Sequence, residues 1–124
     1  MVLEKDTGIL EHGDTGAGQC PVERFLDSLT SQQAKKIAWV LRLVEELDPV
    51  PGQYFRKLTN TEDIWEVRVT FGGDIFRLLG FLYGSRLVVL VHGIRKKTQE
   101  TPVQDIKTAE ERRREYLQRR GKNK

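Results

Sequence analysis

The spacing of apolar residues predicts two helices in the first half of the chain. After Pro21, a residue favoured in the first turn of a helix, an apolar stripe at i, i+3, i+4 and i+7 predicts a short helix over residues 21–29. Thr30 and Gln33 have the spacing of a capping box, and the apolar stripe behind them predicts a second helix that ends near Asp48-Pro49. We expect these two helices to form a helical hairpin.

After the second helix the apolar period changes to two residues, which predicts an antiparallel sheet. A short strand is predicted at residues 54–58, and a meander of three longer strands at residues 64–71, 74–83 and 86–92. The connecting turns are predicted at Gly72-Gly73 and Gly84-Ser85.

A third helix is predicted near the end of the chain, with Thr101 as N-cap, Pro102 at its first position and Gln104 at its third. Residues 1–18 are rich in glycine and acidic residues, so we expect an irregular N-terminal arm in which residues 8–12 are a candidate for a short strand. A length of 124 residues suits one domain. The elements therefore predict a single α+β domain over residues 1–124: a helical hairpin packed on a small antiparallel β-sheet, with a C-terminal helix.

Composition excludes several classes of protein. No apolar run approaches the roughly 20 residues that a transmembrane helix needs, and residues 1–14 lack the apolar segment of a signal peptide, so we expect a cytoplasmic protein without a membrane partner. The single cysteine, Cys20, fits a reducing compartment and is best explained as a structural thiol. With one cysteine and two histidines, and no phosphate-binding or dinucleotide-binding glycine motif, neither a metal nor a cofactor is predicted.

Charge is unevenly distributed along the chain. The formal net charge is +3, but residues 95–124 carry 11 basic and 5 acidic side chains, whereas residues 1–94 carry 10 basic and 13 acidic ones. A basic end on a mildly acidic body indicates a polyanionic partner on one side of the molecule. For residues 119–124 alone, a solvated helix end is the better explanation.

The turn lengths determine which residues face each other across the meander. A two-residue turn at Gly72-Gly73 places Arg68 directly opposite Arg77, although like charges in such positions destabilise a sheet. A two-residue turn at Gly84-Ser85 places His92 opposite Arg77 as well. Three cationic or titratable side chains are thereby predicted to form one row across one face of the sheet.

The row of Arg68, Arg77 and His92 ends beside a predicted loop with three cations at residues 95–97. Guanidinium groups bind phosphate oxygens in pairs and lysine adds a point charge, so the row and the loop together predict an anion site. An ion-pair cluster explains the row equally well, because Glu66 lies on the same face and can neutralise the arginines. Taken alone, the histidine is more often a hydrogen-bonded strand-end residue, and the lysines of such a loop are more often solvated.

The most distinctive motifs of the chain lie in five segments. They are Cys20-Pro21-Val22-Glu23-Arg24-Phe25-Leu26, Arg56-Lys57-Leu58, Ile64-Trp65-Glu66-Val67-Arg68, Arg77 and His92-Gly93-Ile94-Arg95-Lys96-Lys97-Thr98-Gln99-Glu100-Thr101-Pro102. Together, over residues 19–117, they resemble the HigB group of phage-derived Gp49-like toxins, which belongs to the RelE/ParE toxin superfamily. Each segment alone is a weak signal, whereas their combination is specific.

The resemblance implies a RelE-like toxin of a type II toxin–antitoxin system. Such toxins inhibit translation as mRNA endoribonucleases, or mRNA interferases, that bind the ribosomal A site and cut the message there. A small helix-turn-helix antitoxin neutralises them, and they reach DNA only through it. By motif position, the resemblance implies that the catalytic residues are Arg68, Arg77, Lys96, Lys97 and, less directly, His92, and that the RNA-binding residues are Lys57, Arg56 and Arg95.

The chemistry implied by the resemblance needs no metal. The RNA 2′-OH attacks the adjacent phosphate, the arginines stabilise the added negative charge, and a lysine or His92 moves the protons. A non-catalytic module of the same fold, which binds the ribosome or the antitoxin without cutting RNA, is the alternative. The chain departs from the family pattern in two places: residues 1–18 lack a clear apolar strand, and Ile94 replaces the usual phenylalanine.

Overall fold

The computed structural model describes residues 1–4, 10–11, 20–84 and 87–122, which contain three α-helices and six β-strands. The predicted α+β class is therefore confirmed. In chain order the elements are β1 (Val2–Glu4), β2 (Leu10–Glu11), α1 (Pro21–Asp27), α2 (Ser31–Glu46), β3 (Phe55–Lys57), β4 (Trp65–Phe71), β5 (Asp74–Tyr83), β6 (Leu87–Lys96) and α3 (Val103–Lys122).

The described strands form one antiparallel sheet in the order β2-β1-β6-β5-β4-β3. The sequence predicts an irregular arm over residues 1–18, but the described part of that arm extends the sheet: Val2 pairs with Val89 of β6 and with Glu11 of β2. β2 lies within the candidate strand at residues 8–12, whose other members fall outside the described residues. Without β1, β6 would present an edge of unpaired N–H and C=O groups.

The first two helices begin where the sequence predicts. Pro21 is the first residue of α1. The capping box of α2 is complete, because Thr30 Oγ1 accepts from the Gln33 N–H at 3.2 Å and Gln33 Oε1 accepts from the Thr30 N–H at 3.0 Å. α1 packs against β6 and α2 against β4, and both helices share one apolar core with the sheet. The buried apolar residues of α2 are Ile37, Val40, Leu41 and Val44, each contributing about 1.5–3 kcal/mol by burial.

α3 covers the opposite face of the sheet. Ala109 and Tyr116 of this helix belong to a second apolar core with Leu79, Phe81 and Val89 of β5 and β6. The sheet is therefore a central layer between α1 and α2 on one side and α3 on the other. None of the helices among the described residues is both long and apolar enough to cross a membrane.

The register between β4 and β5 is the predicted one. Gly72 and Gly73 both have positive φ, of 61° and 86°, which suits a two-residue hairpin turn and which side chains other than glycine rarely adopt. Phe71 pairs with Asp74 at the end of the strands. The residues of β4 and β5 therefore pair as the sequence predicts, and Arg68 pairs with Arg77.

The register between β5 and β6 differs from the predicted one. A two-residue turn implies that Tyr83 pairs with Arg86, which lies outside the described residues; Tyr83 pairs with Leu87. A β-bulge between Leu79 and Gly80 then adds a second one-residue offset. The bulge requires glycine, because a Cβ on Gly80 would lie 2.1 Å from the Val89 carbonyl oxygen.

The two offsets together move β6 by two residues relative to β5. His92 therefore pairs with Leu79, and Ile94, not His92, lies opposite Arg77. Because side chains alternate with a period of two, His92 nevertheless stays on the same face as Arg77. The strand also continues to Lys96, so two of the three cations that the sequence assigns to a loop belong to β6.

The start of α3 also differs from the prediction. The helix begins at Val103, and the Pro102 carbonyl accepts from the backbone N–H groups of Asp105 and Ile106, each at 3.1 Å. Thr101 does not cap the helix through its side chain. Its hydroxyl donates to Glu66 Oε1 at 2.5 Å, because the chain here crosses the sheet before the helix begins.

Candidate functional site

Several charged residues of the sheet lie together on the face that α3 covers. Two rows of paired residues cross this face: Arg56, Glu66, Leu79 and His92 form one row, and Arg68, Arg77 and Ile94 form the next. We use the name charged face for Arg56, Glu66, Arg68, Arg77 and His92. The predicted placement of Arg68 opposite Arg77 is confirmed, whereas His92 belongs to the neighbouring row.

Glu66 is the centre of the charged face. Both Glu66 and Arg77 are fully buried, and Arg77 Nε lies 2.9 Å from Glu66 Oε1. Glu66 Oε2 accepts from Arg56 Nε at 3.4 Å, and Oε1 also accepts from Thr101. Burial lowers the pKa of the Arg77 guanidinium, and the Glu66 carboxylate opposes that change. Glu66 therefore neutralises the buried arginine, as the ion-pair explanation of the row requires.

Residues 97–102, which we call the strap, cross the charged face between β6 and α3. Arg77 Nη2 donates to the Thr98 carbonyl oxygen. Arg68 Nη2 donates to the backbone carbonyl oxygen and to Oε1 of Gln99, both at 3.1 Å. Arg77 Nη1 is buried and has no hydrogen-bond partner among the described residues. Both arginines are thus turned toward the strap, and Arg77 is shielded from solvent.

His92 is held between two residues of α3. Its Nε2 lies 2.8 Å from Asp105 Oδ1, and its Nδ1 lies 3.0 Å from Arg112 Nη1, which also donates to the Val91 carbonyl oxygen. A guanidinium can only donate, so Nδ1 must accept and the ring proton lies on Nε2, facing the carboxylate. Both ring nitrogens are therefore engaged, and neither is free to take a proton from a substrate in this arrangement.

Two of the residues predicted to be catalytic are exposed lysines. Lys96 pairs with Ile75 and so projects from the same face as Arg77, and Lys97 is the first residue of the strap. Both side chains are exposed and make no hydrogen bond or ion pair within the described part of the chain. Among the residues predicted to be catalytic, these two have free ammonium groups.

Two of the residues predicted to bind RNA lie away from the charged face. Arg95 pairs with Phe76 on the opposite face, where it binds Asp74 Oδ2 through Nε at 2.8 Å and Nη2 at 2.6 Å. Lys57 pairs with Trp65 and also belongs to the opposite face, with its Nζ 3.7 Å from Asp63 Oδ1. Of the predicted RNA-binding residues, Arg56 alone joins the cluster.

Sequence reasoning missed the residues that hold the cluster in place. Asp105 and Arg112 are not predicted as site residues, Gln99 is noted only as part of a motif, and Thr101 is predicted to cap α3. Asp105 and Arg112 lie on α3. The apolar pattern predicts this helix but not which of its polar residues face β6. Glu66 was recognised as a neutralising group, but its contact with the strap depends on the path of residues 97–102, for which the pattern gives no information.

Comparison with known proteins places these residues within one family. The sequence profile of the phage-derived Gp49-like protein family matches residues 24–114. The match includes the charged face, the strap and both α3 residues that bind His92. No curated protein matches the chain significantly.

Proposed function

Because the chain belongs to the phage-derived Gp49-like protein family, we propose that it is the toxin of a type II toxin–antitoxin pair and an mRNA endoribonuclease that works on the ribosome. The observation that carries this proposal is the pairing of Arg68 with Arg77 on one face of the sheet, with the free ammonium of Lys96 on the same face. In this proposal the fold is RelE-like, and α1 and α2 form its helical hairpin.

The proposed reaction is an internal transfer at a phosphodiester. The 2′-OH loses its proton to a base and forms a bond to the adjacent phosphorus, while the bond to the 5′ oxygen breaks and that oxygen takes a proton. The products are a 2′,3′-cyclic phosphate and a 5′-OH. Arg68 and Arg77 stabilise the added charge on the phosphate oxygens. We assign the proton transfers to Lys96 and Lys97, because both nitrogens of His92 are engaged.

The partners follow from this proposal. Messenger RNA in the ribosomal A site is the substrate, so the protein acts in the cytoplasm. A cognate helix-turn-helix antitoxin neutralises it, and DNA is contacted only through that antitoxin. Arg56 adds positive charge beside the arginine pair, whereas Lys57 and Arg95 contact RNA only where it also reaches the other face of the sheet.

The test uses purified protein, translating ribosomes and mapping of new mRNA 5′ ends. The Lys96→Ala/Lys97→Ala double variant removes two exposed side chains without disturbing the buried ion pair, and we expect cleavage to fall by about 100-fold or more, the usual contribution of general acid–base groups. The matched control is Lys35→Ala/Lys107→Ala, which removes two exposed lysines elsewhere. Uncut mRNA with the wild-type protein contradicts the proposal.

A second candidate function is a non-catalytic module that binds the ribosome or the antitoxin. The observation that favours it is the burial of Arg77, whose charge is already neutralised by Glu66. Growth arrest on expression, without new mRNA 5′ ends and with no effect of the lysine double variant on mRNA, supports this module over the endoribonuclease.

A further inference from the structure

The strap places neutral oxygen atoms on two guanidinium groups. The carbonyl oxygen of Thr98 accepts from Arg77, and two oxygens of Gln99 accept from Arg68. Guanidinium groups form shorter and stronger hydrogen bonds with anionic oxygens than with neutral ones. The three strap oxygens are weaker acceptors than phosphate oxygens. They occupy the positions on the arginines where the oxygens of a phosphodiester would bind.

A second observation shows that the strap satisfies the arginines incompletely. Arg77 is fully buried, yet its Nη1 has no hydrogen-bond partner among the described residues. A buried donor without a hydrogen-bond partner is unfavourable, and most buried donors in folded proteins have a partner. Nη1 therefore remains available to an acceptor that the strap itself does not supply.

We propose that the strap closes the anion site in the free protein and that an RNA phosphodiester opens it by replacing the strap oxygens on Arg68 and Arg77. This inference rests on the proposed function and adds to it a closed state of the same site. The exchange replaces neutral acceptors with charged ones and gives Nη1 a partner. Opening also brings Arg77, now covered, into contact with the substrate.

One side-chain hydrogen bond holds the strap near its end, and it can be removed separately. Thr101 Oγ1 donates to Glu66 Oε1 at 2.5 Å, and the chain after it is anchored by the bond between Asp105 and His92. The movable part is therefore short and ends at Thr101. Removing this hydroxyl weakens the closed state while Glu66 keeps both of its arginine partners.

The first measurement is the rate at which trypsin cuts the Lys97–Thr98 bond, followed by mass spectrometry. We expect Thr101→Val to raise this rate about tenfold or more, because proteolysis follows the open population and a hydrogen bond to a carboxylate is lost. Thr101→Ser keeps the hydroxyl and Thr108→Val removes a hydroxyl that binds within α3, so both should cut like the wild type.

The second measurement is the affinity for a 2′-O-methyl oligoribonucleotide, which cannot be cut, by fluorescence anisotropy at one salt concentration. If the closed state limits binding, the apparent affinity rises in proportion to the open population. Thr101→Val should therefore tighten binding by the same factor by which it speeds trypsin. Should that variant fold poorly, Gln99→Ala, an exposed change that removes one acceptor of Arg68, should raise both quantities together by about twofold or more.

Equal rises in both measurements support the closed state. Faster trypsin cleavage without tighter binding, or no change in either, overturns it, as does failure of every variant to bind the oligoribonucleotide. The endoribonuclease function is tested separately on translating ribosomes: if no variant cuts mRNA there while both measurements rise together, that function fails and the closed state stands.

Discussion

Arg77 carries its charge in the interior of the protein, and Glu66 makes that burial tolerable. One carboxylate serves donors from β3, β5 and the strap, through Arg56, Arg77 and Thr101. The opposition of Arg68 and Arg77 could be predicted from the sequence, because it depends only on a two-residue glycine turn. The burial of Arg77 could not, because it depends on where a segment without apolar periodicity crosses the sheet.

The first residue-scale prediction concerns the buried ion pair. Glu66→Gln leaves Arg77 buried without its counter-ion, so we expect the free energy of unfolding to fall by about 3–5 kcal/mol in urea denaturation. Glu111→Gln, an exposed change on α3, is the control and should alter stability by less than about 0.5 kcal/mol. A Glu66→Gln protein as stable as the control would show that the pair contributes little.

A second residue-scale prediction concerns Glu45, which is buried on α2 with one oxygen lacking a hydrogen-bond partner in the described structure. Burial, and then the neighbouring Glu46, raise the pKa of this carboxyl, while Arg42 opposes them. A raised pKa in the folded state means that folding favours the protonated form, so the stability contribution is present at low pH and is lost as the pH rises through that pKa.

Glu45→Gln should therefore stabilise the protein at neutral pH by about 1 kcal/mol, since the amide carries no charge to desolvate. The advantage should vanish below the ordinary glutamate pKa of about 4.3, where the wild-type carboxyl is protonated as well. Thermal unfolding of both proteins between pH 3 and pH 8 measures this. A constant difference across that range would contradict the assignment to Glu45.

At the scale of elements, the features predicted correctly are those encoded by residues adjacent in the sequence. The capping box of α2 and the β4–β5 turn are encoded by a few adjacent residues, and both were predicted correctly. The predicted β5–β6 register was wrong for two reasons. Tyr83 pairs with Leu87 and not with Arg86, and a bulge at Gly80, where the backbone contacts Val89, left only a glycine inside a strand as its signal in the sequence. Gly93, within the His-Gly motif, has a packing reason instead: a Cβ there would lie 2.5 Å from Phe25 Cδ2.

The element-scale prediction tests the bulge. Gly80→Ala places a Cβ against backbone that cannot move aside easily, so we expect a loss of about 1–3 kcal/mol or more in the free energy of unfolding. Gly52→Ala is the matched control, because a Cβ there meets nothing within 4 Å and needs no positive φ. Equal stability of the two variants would mean that β6 can change its register at little cost.

At the scale of the whole molecule, the basic end of the chain serves the fold more than the composition indicates. Several arginines of α3 already bind other groups of the protein: Arg112 with His92 and the Val91 carbonyl, Arg113 over the Phe81 ring, Arg114 with Glu62, and Arg120 with the Tyr116 hydroxyl. The excess of cations after residue 94 therefore does not measure the charge available to a polyanion. Lys96 and Lys97 are better candidates for binding a polyanion.

The whole-molecule prediction follows from that division of charge. The affinity for single-stranded RNA should fall as salt rises, and Lys96→Ala/Lys97→Ala should reduce the slope of log affinity against log salt by about 1.4, at roughly 0.7 per phosphate contact. Arg114→Gln removes a cation that binds Glu62 at 2.9 and 3.0 Å and should leave the slope unchanged. An equal loss of slope per charge removed in the two variants would indicate binding to net charge alone.

The burial of Arg77 with Glu66 has a consequence for genetics. Under the proposed toxin–antitoxin function, changes at either of these two positions, recovered in a selection for cells that survive expression of the chain, should yield poorly folded protein that is degraded and leaves the antitoxin unbound. Changes at Lys96 or Lys97 should instead yield stable, harmless copies that still occupy the antitoxin. In a cell that also carries an active copy of the protein, such a lysine variant would be dominant. It would occupy the antitoxin and so release the active copy from inhibition.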